Sequence, residues 1–211
     1  MKPNIKPNLP NHLLGTLLVL KSVCKPLLVG GCVRDLLTNK KPKDFDIVQE
    51  KDINELREPL LESGFIISEV GTNFKVLFAQ KDLYTYEIAQ FRKDVKCDGR
   101  HAIVEPGDIT TDAFRRDFTV NALYYDPFKN NVIDPTKMGL IDIYKNILRF
   151  VGNPKSRIEE DYLRVFRFYR FLSKGFVPDK SSLKACRQFF DVAYKNTTPE
   201  RVRLELEKII F

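Results

Sequence analysis

The stretch Leu27–Val48, LLVGGCVRDLLTNKKPKDFDIV, constrains the fold of the chain more than any other. Leu27, Leu28 and Val29 form a short apolar run stopped by Gly30-Gly31, and Val33, Leu36 and Leu37 then recur at helical spacing. The stretch reads as strand, tight turn, helix, loop and second strand. Such a turn sets glycine N–H groups and a helix N-terminus at the end of a strand, where unpaired donors and the helix dipole favour a phosphate. Asp44 and Asp46 follow in Asp-Phe-Asp-Ile-Val. Two residues apart on a strand, they point to one side while Phe45 and Ile47 point into a core. Carboxylates sharing a face repel unless a cation lies between them. With only oxygen ligands beside a phosphate site, Mg²⁺ is the natural candidate. Each half also has a plainer reading: Gly-Gly as a simple turn, and Asp-x-Asp as solvated charge at a strand end.

Taken together, Gly30-Gly31-Cys32-Val33-Arg34-Asp35 and the following Asp44-Phe45-Asp46 resemble the opening signature of class II nucleotidyltransferases. That family holds the CCA-adding tRNA nucleotidyltransferases and the bacterial poly(A) polymerases. The resemblance implies that Gly30, Gly31 and Arg34 hold phosphates, that Asp35 braces the turn, and that Asp44 and Asp46 are catalytic ligands of Mg²⁺.

The rest of the chain is consistent with a globular protein. At 211 residues, 43% hydrophobic and 30% charged, it can bury a core as one domain or two small ones. The net charge is +7, and residues 149–211 carry fourteen basic against eight acidic side chains. A basic C-terminal third suggests a polyanionic partner such as nucleic acid, although on charge alone a solvated basic surface is the better account. Cys24, Cys32, Cys97 and Cys186 show no CxxC pairing and read as reduced thiols of a cytoplasmic protein. Cys97 and His101 lack a second ligand pair, which excludes a zinc site. The apolar run Leu13–Leu20 is too short to span a bilayer, and no cleavage site marks a signal peptide.

Residues 1–11, rich in Pro, Asn and Lys, read as a loose arm before a helix over about 12–23 that packs Leu13, Leu14, Leu17, Leu18 and Leu20 on a sheet. Asp52 is a plausible N-cap for a helix ending near Gly64. Strands are predicted over 65–70, 74–79 and 83–91, with a turn at Gly71-Thr72-Asn73, and residues 93–113 read as a mobile polar loop. Consecutive strands after one strand–helix unit argue for an α+β fold. Glu87 lies in the last of these strands. It is either an exposed strand residue or, if its strand adjoins the Asp-x-Asp strand, the third member of a carboxylate cluster.

Later segments extend the resemblance in family order. A Glu five residues before an Arg, as in Glu87 and Arg92, occurs at the matching place, which implies a catalytic Glu87 that helps activate the attacking hydroxyl or positions the metal. Arg115-Arg116-Asp117-Phe118-Thr119-Val120-Asn121-Ala122 matches motif B, RRDxTxNA, although surface salt bridges would also explain such a cluster. The match implies Arg116 at the triphosphate, with Asp117 and Asn121 at the ribose. Such partners can recognise a 2′-hydroxyl that donates and accepts. Asp134 through Gly139 to Arg149 resembles motif C, a hinge. Ser156 and Glu159 have capping-box spacing for a helix over about 157–173, whose Arg164, Arg167 and Arg170 recur three apart. By periodicity these form a solvated stripe. By resemblance, Glu160-Asp161-Tyr162-Leu163-Arg164 matches motif D, EDxxR. Asp161 and Arg164 would then read the base edge of CTP or ATP, with Arg167 and Arg170 extending the basic surface or supporting that pair. Glu200-Arg201-Val202-Arg203-Leu204-Glu205-Leu206 resembles motif E, after Thr198 as an N-cap and Pro199.

The resemblance implies a polymerase-β-like nucleotidyltransferase head with a small mixed sheet and flanking helices over 1–150. An all-α neck follows over 151–211, with the body and tail domains of the family absent. The implied activity is template-independent addition of CMP or AMP from CTP and ATP to tRNA 3′ ends, using Mg²⁺ and no membrane. Poly(A) synthesis, partial CC- or A-addition, and a non-catalytic RNA-binding module are the alternatives. The segment Val70–Phe74 lacks a basic pair associated with the poly(A) branch, which tilts the reading to tRNA.

Overall fold

The Leu27–Val29 run forms β1, buried along its whole length, and the chain turns at Gly30 into α2, Gly31–Leu37. The structure is a computed structural model that describes residues 7–68, 75–97 and 102–210. Gly30 adopts φ +77° and ψ −130°, a backbone state closed to side-chain-bearing residues, so the turn requires glycine here. The chain returns as β2, Asp46–Gln49, antiparallel to β1 with Val29 opposite Asp46.

The other strands are β3 (Ile66–Ser68), β4 (Val76–Lys81), β5 (Tyr84–Gln90), β8 (Tyr124–Asp126) and β9 (Asn131–Ile133). Among the described residues they complete a seven-stranded sheet in the order β3-β4-β5-β2-β1-β8-β9. Its β2–β5 pair is parallel and the rest antiparallel, which makes the small mixed sheet of an α+β fold. Side chains alternate between the faces. Leu28, Ile47 and Ile88 pack under α1 (Asn11–Lys21) and α3 (Arg57–Glu62) with Leu13, Leu17, Leu56 and Leu60. Leu27, Val29 and Val48 pack on the opposite face with Phe91, Ala113 and Tyr124. Asp46 shares this second face with Val48, two residues on, so the carboxylates come to lie there.

The C-terminal helices are α6 (Pro154–Glu160), α7 (Leu163–Ser173), α8 (Lys180–Asn196) and α9 (Pro199–Ile210). Their core draws in Phe118, Val120, Leu148 and Phe150 from residues before 150, together with Ile158, Val165, Phe168 and Cys186. The Phe150 and Phe168 rings stack at 5.7 Å. No helix among the described residues is long and apolar enough to cross a membrane.

Several local expectations are corrected. The predicted helix over 157–173 is two helices, broken where Asp161 takes an extended conformation. Its carboxylate accepts the Leu163 N–H at 3.1 Å, the local bond by which Asp competes with helix continuation. The cap of α6 is Asn153, whose Oδ1 accepts from Lys155 and Ser156, with Pro154 as the first helical residue. Within the expected polar loop at 93–113 lie a hairpin of β6 (Arg92–Cys97) and β7 (Ala102–Pro106) and a helix, α4 (Ile109–Arg115). The cap of α4 is Asp108, bonded to the Thr111 N–H at 2.7 Å. On α1, Leu14 and Leu18 are exposed, because only one stripe of an eleven-residue helix can face the sheet. Leu9, in the expected arm, is buried in the main core. Asp52 caps its helix as expected, in a capping box with Glu55. The turn at 71–73, the segment 70–74 and the Cys97–His101 pair involve positions outside the described residues or side chains.

Candidate active site

The parallel pairing of β2 with β5 sets Asp46 directly beside Glu87. This is the arrangement on which a carboxylate cluster depended. Asp44 lies just ahead of the strand and is exposed, not in it as expected. Burial, then the Glu87 charge, pushes the Asp46 carboxyl up to about 6, while the Arg116 guanidinium opposes them and Asp44 adds to the rise. A carboxylate raised by burial and like-charged neighbours marks a place where negative charge exceeds what the protein neutralises.

Two separate segments, the β2 strand and the Arg116–Asn121 turn, meet over Gly30. A methyl group there would stand 3.5 Å from Arg116 Nη1, 3.8 Å from Asp46 Oδ2 and 3.9 Å from the Asn121 carbonyl oxygen. The glycine keeps this approach open, and its own N–H donates to the Leu123 carbonyl at 3.2 Å. Cys32, in the same turn, is buried. Burial and the Asp46 charge push its thiol up to about 12, so it is no nucleophile.

Arg116 ends α4. Its Nε and Nη2 donate to Asp112 Oδ2 at 3.0 and 2.9 Å, and Tyr124 donates its hydroxyl to the same oxygen at 2.6 Å. Asp112 and Tyr124 escaped the sequence reading, although Asp112 stands at i−4 from Arg116, the spacing of a helical ion pair. Phe118 is extended, and a 3₁₀ turn, Thr119–Asn121, follows and carries Asn121 back toward Asp117.

A chain of polar contacts then runs from the glycine turn to the neck. Arg34 lies on α2, pairs with Asp35 at 2.8 Å and donates from Nη1 to Asn121 Oδ1 at 2.6 Å. Asn121 donates to Asp117 Oδ1 at 3.1 Å, and Asp117 Oδ2 accepts from Arg167 on α7 at 2.8 Å. Burial raises the Asp117 carboxyl, but Arg167, Asn121 and Arg164 overcome this and hold it below the usual range. Arg34 thus meets the side chain expected at the ribose, and Asp117 and Asn121 stand as a fixed pair with Arg167 behind them.

The residues expected to read the base have separate partners. Asp161, in the break between α6 and α7, pairs with Arg201 of α9 at 3.2 Å. Arg164 donates to Glu160 at 2.8 Å, to the Arg157 carbonyl at 2.8 Å and to the Arg115 carbonyl at 3.0 Å, which ties α7 to the end of α4. Arg170 is buried and bonded to Glu205 at 2.5 Å, so it braces α7 against α9 and presents no open cationic surface. The arginine stripe is therefore not a solvated face: each member is bonded to a different carboxylate, Arg164 to Glu160, Arg167 to Asp117 and Arg170 to Glu205. Arg149 likewise joins buried Asp142 and the α8 cap Asp179 at 3.0 and 2.9 Å.

Comparison with known proteins bears on this geometry. Residues 27–149 match the model of the Poly A polymerase head domain. The human mitochondrial CCA tRNA nucleotidyltransferase 1 is 34% identical over 189 residues, covering 87% of this chain and 43% of the relative. Poly(A) polymerase I of Haemophilus influenzae is 33% identical over 196 residues, covering 87% and 42%. The Bacillus stearothermophilus CCA-adding enzyme, solved in complex with CTP, superposes with a TM-score of 0.82 at 29% identity over 99% of this chain and 49% of that one. The Thermotoga maritima CCA-adding enzyme, solved with tRNA, gives 0.75 at 25% identity over 96% and 48%. The chain spans less than half the length of these curated relatives. With the matched segment containing the glycine turn, the carboxylate strands and the Arg116–Asn121 turn, the chain belongs to the Poly A polymerase head domain family of nucleotidyltransferases.

Proposed function

We propose that the protein adds CMP and AMP from CTP and ATP to tRNA 3′ ends without a template, the head over 1–150 carrying the chemistry and the neck over 151–211 selecting the base. The observation that carries the reading is the side-by-side placement of Asp46 and Glu87 below Gly30 and Arg116. Relatives solved with CTP and with tRNA supply the substrate class. Poly(A) synthesis is the second reading, because Poly(A) polymerase I is as similar in sequence as the CCA enzymes.

The donor set fits Mg²⁺. The site offers carboxylate oxygens only, and besides burial the Glu87 and Asp44 charges raise the Asp46 carboxyl, a repulsion that a dication would relieve. Among the described residues no group of three His, Cys, Asp or Glu side chains is arranged to hold a metal ion, so Asp44, Asp46 and Glu87 do not form a complete ligand set. An open pair suits Mg²⁺, which keeps waters and takes few protein carboxylates beside substrate phosphates. Asp44 and Asp46 would hold it. Bound there, it would supply the Lewis-acid charge that makes the primer 3′-hydroxyl more acidic and offsets the charge of the leaving pyrophosphate.

The chain's own groups do the rest. Glu87, beside Asp46 across the strand pair, would assist in taking the hydroxyl proton. Gly30 and Gly31 let the triphosphate approach the backbone, and Arg116 Nη1 faces the same space. Asp117 and Asn121, fixed by Arg167 and Arg34, offer the polar edge for the ribose, and Arg34 with Asp35 stiffens the turn. Asp161 and Arg164 present acceptors and donors to the base edge, with Arg167 and Arg170 as their supports.

The test is incorporation of labelled CTP and ATP with Mg²⁺ onto tRNA lacking CCA, ending in C or ending in CC. Growth by C, C and A that then stops establishes CCA addition, and long A tails establish the second reading. Asp46→Ala is expected to lose incorporation with its fold intact. Retained activity in that variant refutes the carboxylate assignment. NTP binding without any incorporation by the wild type indicates a binding module.

A further inference from the structure

Asp112 is a fully buried carboxylate to which the mechanism above gives no part. It lies on α4, and both its oxygens are engaged. Oδ1 accepts Nε and Nη2 of Arg115 at 2.9 and 2.7 Å. Oδ2 accepts Nε and Nη2 of Arg116 and the hydroxyl of Tyr124, whose ring is buried in the sheet face. A guanidinium held along its Nε–Nη2 edge cannot rotate and must present Nη1 on the far side. For Arg116 that side is the glycine turn, with Nη1 3.5 Å from the position of a Gly30 methyl. One carboxylate between two guanidiniums leaves the group with a net positive charge.

We propose that Asp112 is the positioning residue for Arg116, fixing that guanidinium so that its Nη1 and the excess positive charge face the polyphosphate of the incoming nucleotide. The proposal rests on the reading of Arg116 as a triphosphate contact. Burial raises the Asp112 carboxyl, but the two arginines and Tyr124 reverse this and hold it low, so it stays anionic at working pH. Tyr124 acts as a stop behind the carboxylate. Its hydroxyl donates to Oδ2 and lies 3.3 Å from Arg116 Nε. A carboxylate that served the fold alone would affect stability without discriminating between ligands that differ only in phosphate count.

The experiment measures equilibrium affinities for CTP and CMP in the whole protein with wild type, Arg116→Ala, Asp112→Asn, the double variant and Tyr124→Phe, each with its thermal melt. The expected result is that Asp112→Asn lowers the preference for CTP over CMP about tenfold, as a lost charge-assisted contact does. Arg116→Ala should lower it in the same direction, and the double variant should match Arg116→Ala alone, because one contact is being removed in either case. Tyr124→Phe, which retains both charges, should lower it about two- to threefold, and it carries the test if Asp112→Asn does not fold. A wild-type preference in Asp112→Asn or Tyr124→Phe with a depressed melting temperature overturns the proposal, provided Arg116→Ala weakens CTP. A wild-type preference in Arg116→Ala overturns the parent reading of Arg116 and the proposal with it.

Discussion

Asp46 is held in a fold that disfavours its charge. Its carboxyl moves from 3.8 to about 6 through burial and then the neighbouring Glu87, so the ionised form is penalised in the native state. The folded pKa lies above the unfolded one. The penalty is absent below the unfolded value, grows as pH rises and is complete above about 6. A shift of this size is worth about 3 kcal/mol, which partial exposure of the carboxyl reduces to about 1–2. Asp112, Asp117, Asp179 and Glu205 are held low and act with the opposite sign, losing stabilisation as pH falls. The difference between Asp46→Asn and wild type isolates the one group. In urea titrations without metal, the variant should gain on wild type by about 1–2 kcal/mol between pH 4 and pH 7, although inactive. A difference independent of pH would show that Asp46 is not penalised. The candidate residues at this scale were readable because their spacing is local: glycine turn, Asp-x-Asp and the Arg116–Asn121 segment are each contiguous. Asp112 and Tyr124 were not, since a buried carboxylate on a short helix looks like any polar residue until its neighbours are in place.

The break between α6 and α7 decides how Asp161 and Arg164, the residues proposed to read the base, are held. Helical periodicity runs through 157–173 without interruption, and nothing in the hydrophobic pattern marks Asp161 as a stop. The stop comes from a local bond to the Leu163 N–H and from Arg201, forty residues on, which sequence order cannot place. The polar segment at 93–113 was missed for a related reason. Its hairpin is made by backbone pairing of Arg92–Cys97 with Ala102–Pro106, and most of those side chains carry no alternating apolar signal. The Asp161–Arg201 pair is partly exposed, so its loss should cost at most about 1 kcal/mol of stability. Its effect on selection should be larger. Arg201→Ala frees the Asp161 carboxylate and is expected to lower discrimination of CTP and ATP against UTP about tenfold, with the maximal rate on CTP changed far less. Competition assays with mixed nucleotides measure this. A variant that loses stability but keeps wild-type selection would confine Arg201 to bracing α9.

Across the whole molecule, the sheet and the C-terminal helices share structure at the residues proposed to face the nucleotide. Phe118 and Val120, flanked by Asp117 and Asn121, lie in the core of the C-terminal helices, with Phe118 against Phe150, Phe168 and Phe171 at ring distances of 4.9, 6.2 and 5.4 Å. Arg34 from the first strand–helix unit stands 5.1 Å over that same Phe171 ring. The Arg34–Asn121–Asp117–Arg167 bonds and the Arg164 bond to the Arg115 carbonyl also run between the two parts. An apolar cluster and a polar chain therefore both join the carboxylate strands to the helix that bears Arg164. Such a shared core makes the two parts unfold together, because neither can lose its packing without exposing aromatic surface of the other. Phe118→Ala removes the ring at the centre of the junction and should cost about 3–5 kcal/mol. Hydrogen exchange should then show protection falling in β1, β2 and α7 alike, with a single melting transition at lower temperature. Loss of protection confined to α6–α9, or two separated transitions, would show instead that the neck is an independent unit and that its arginines reach the site only by docking.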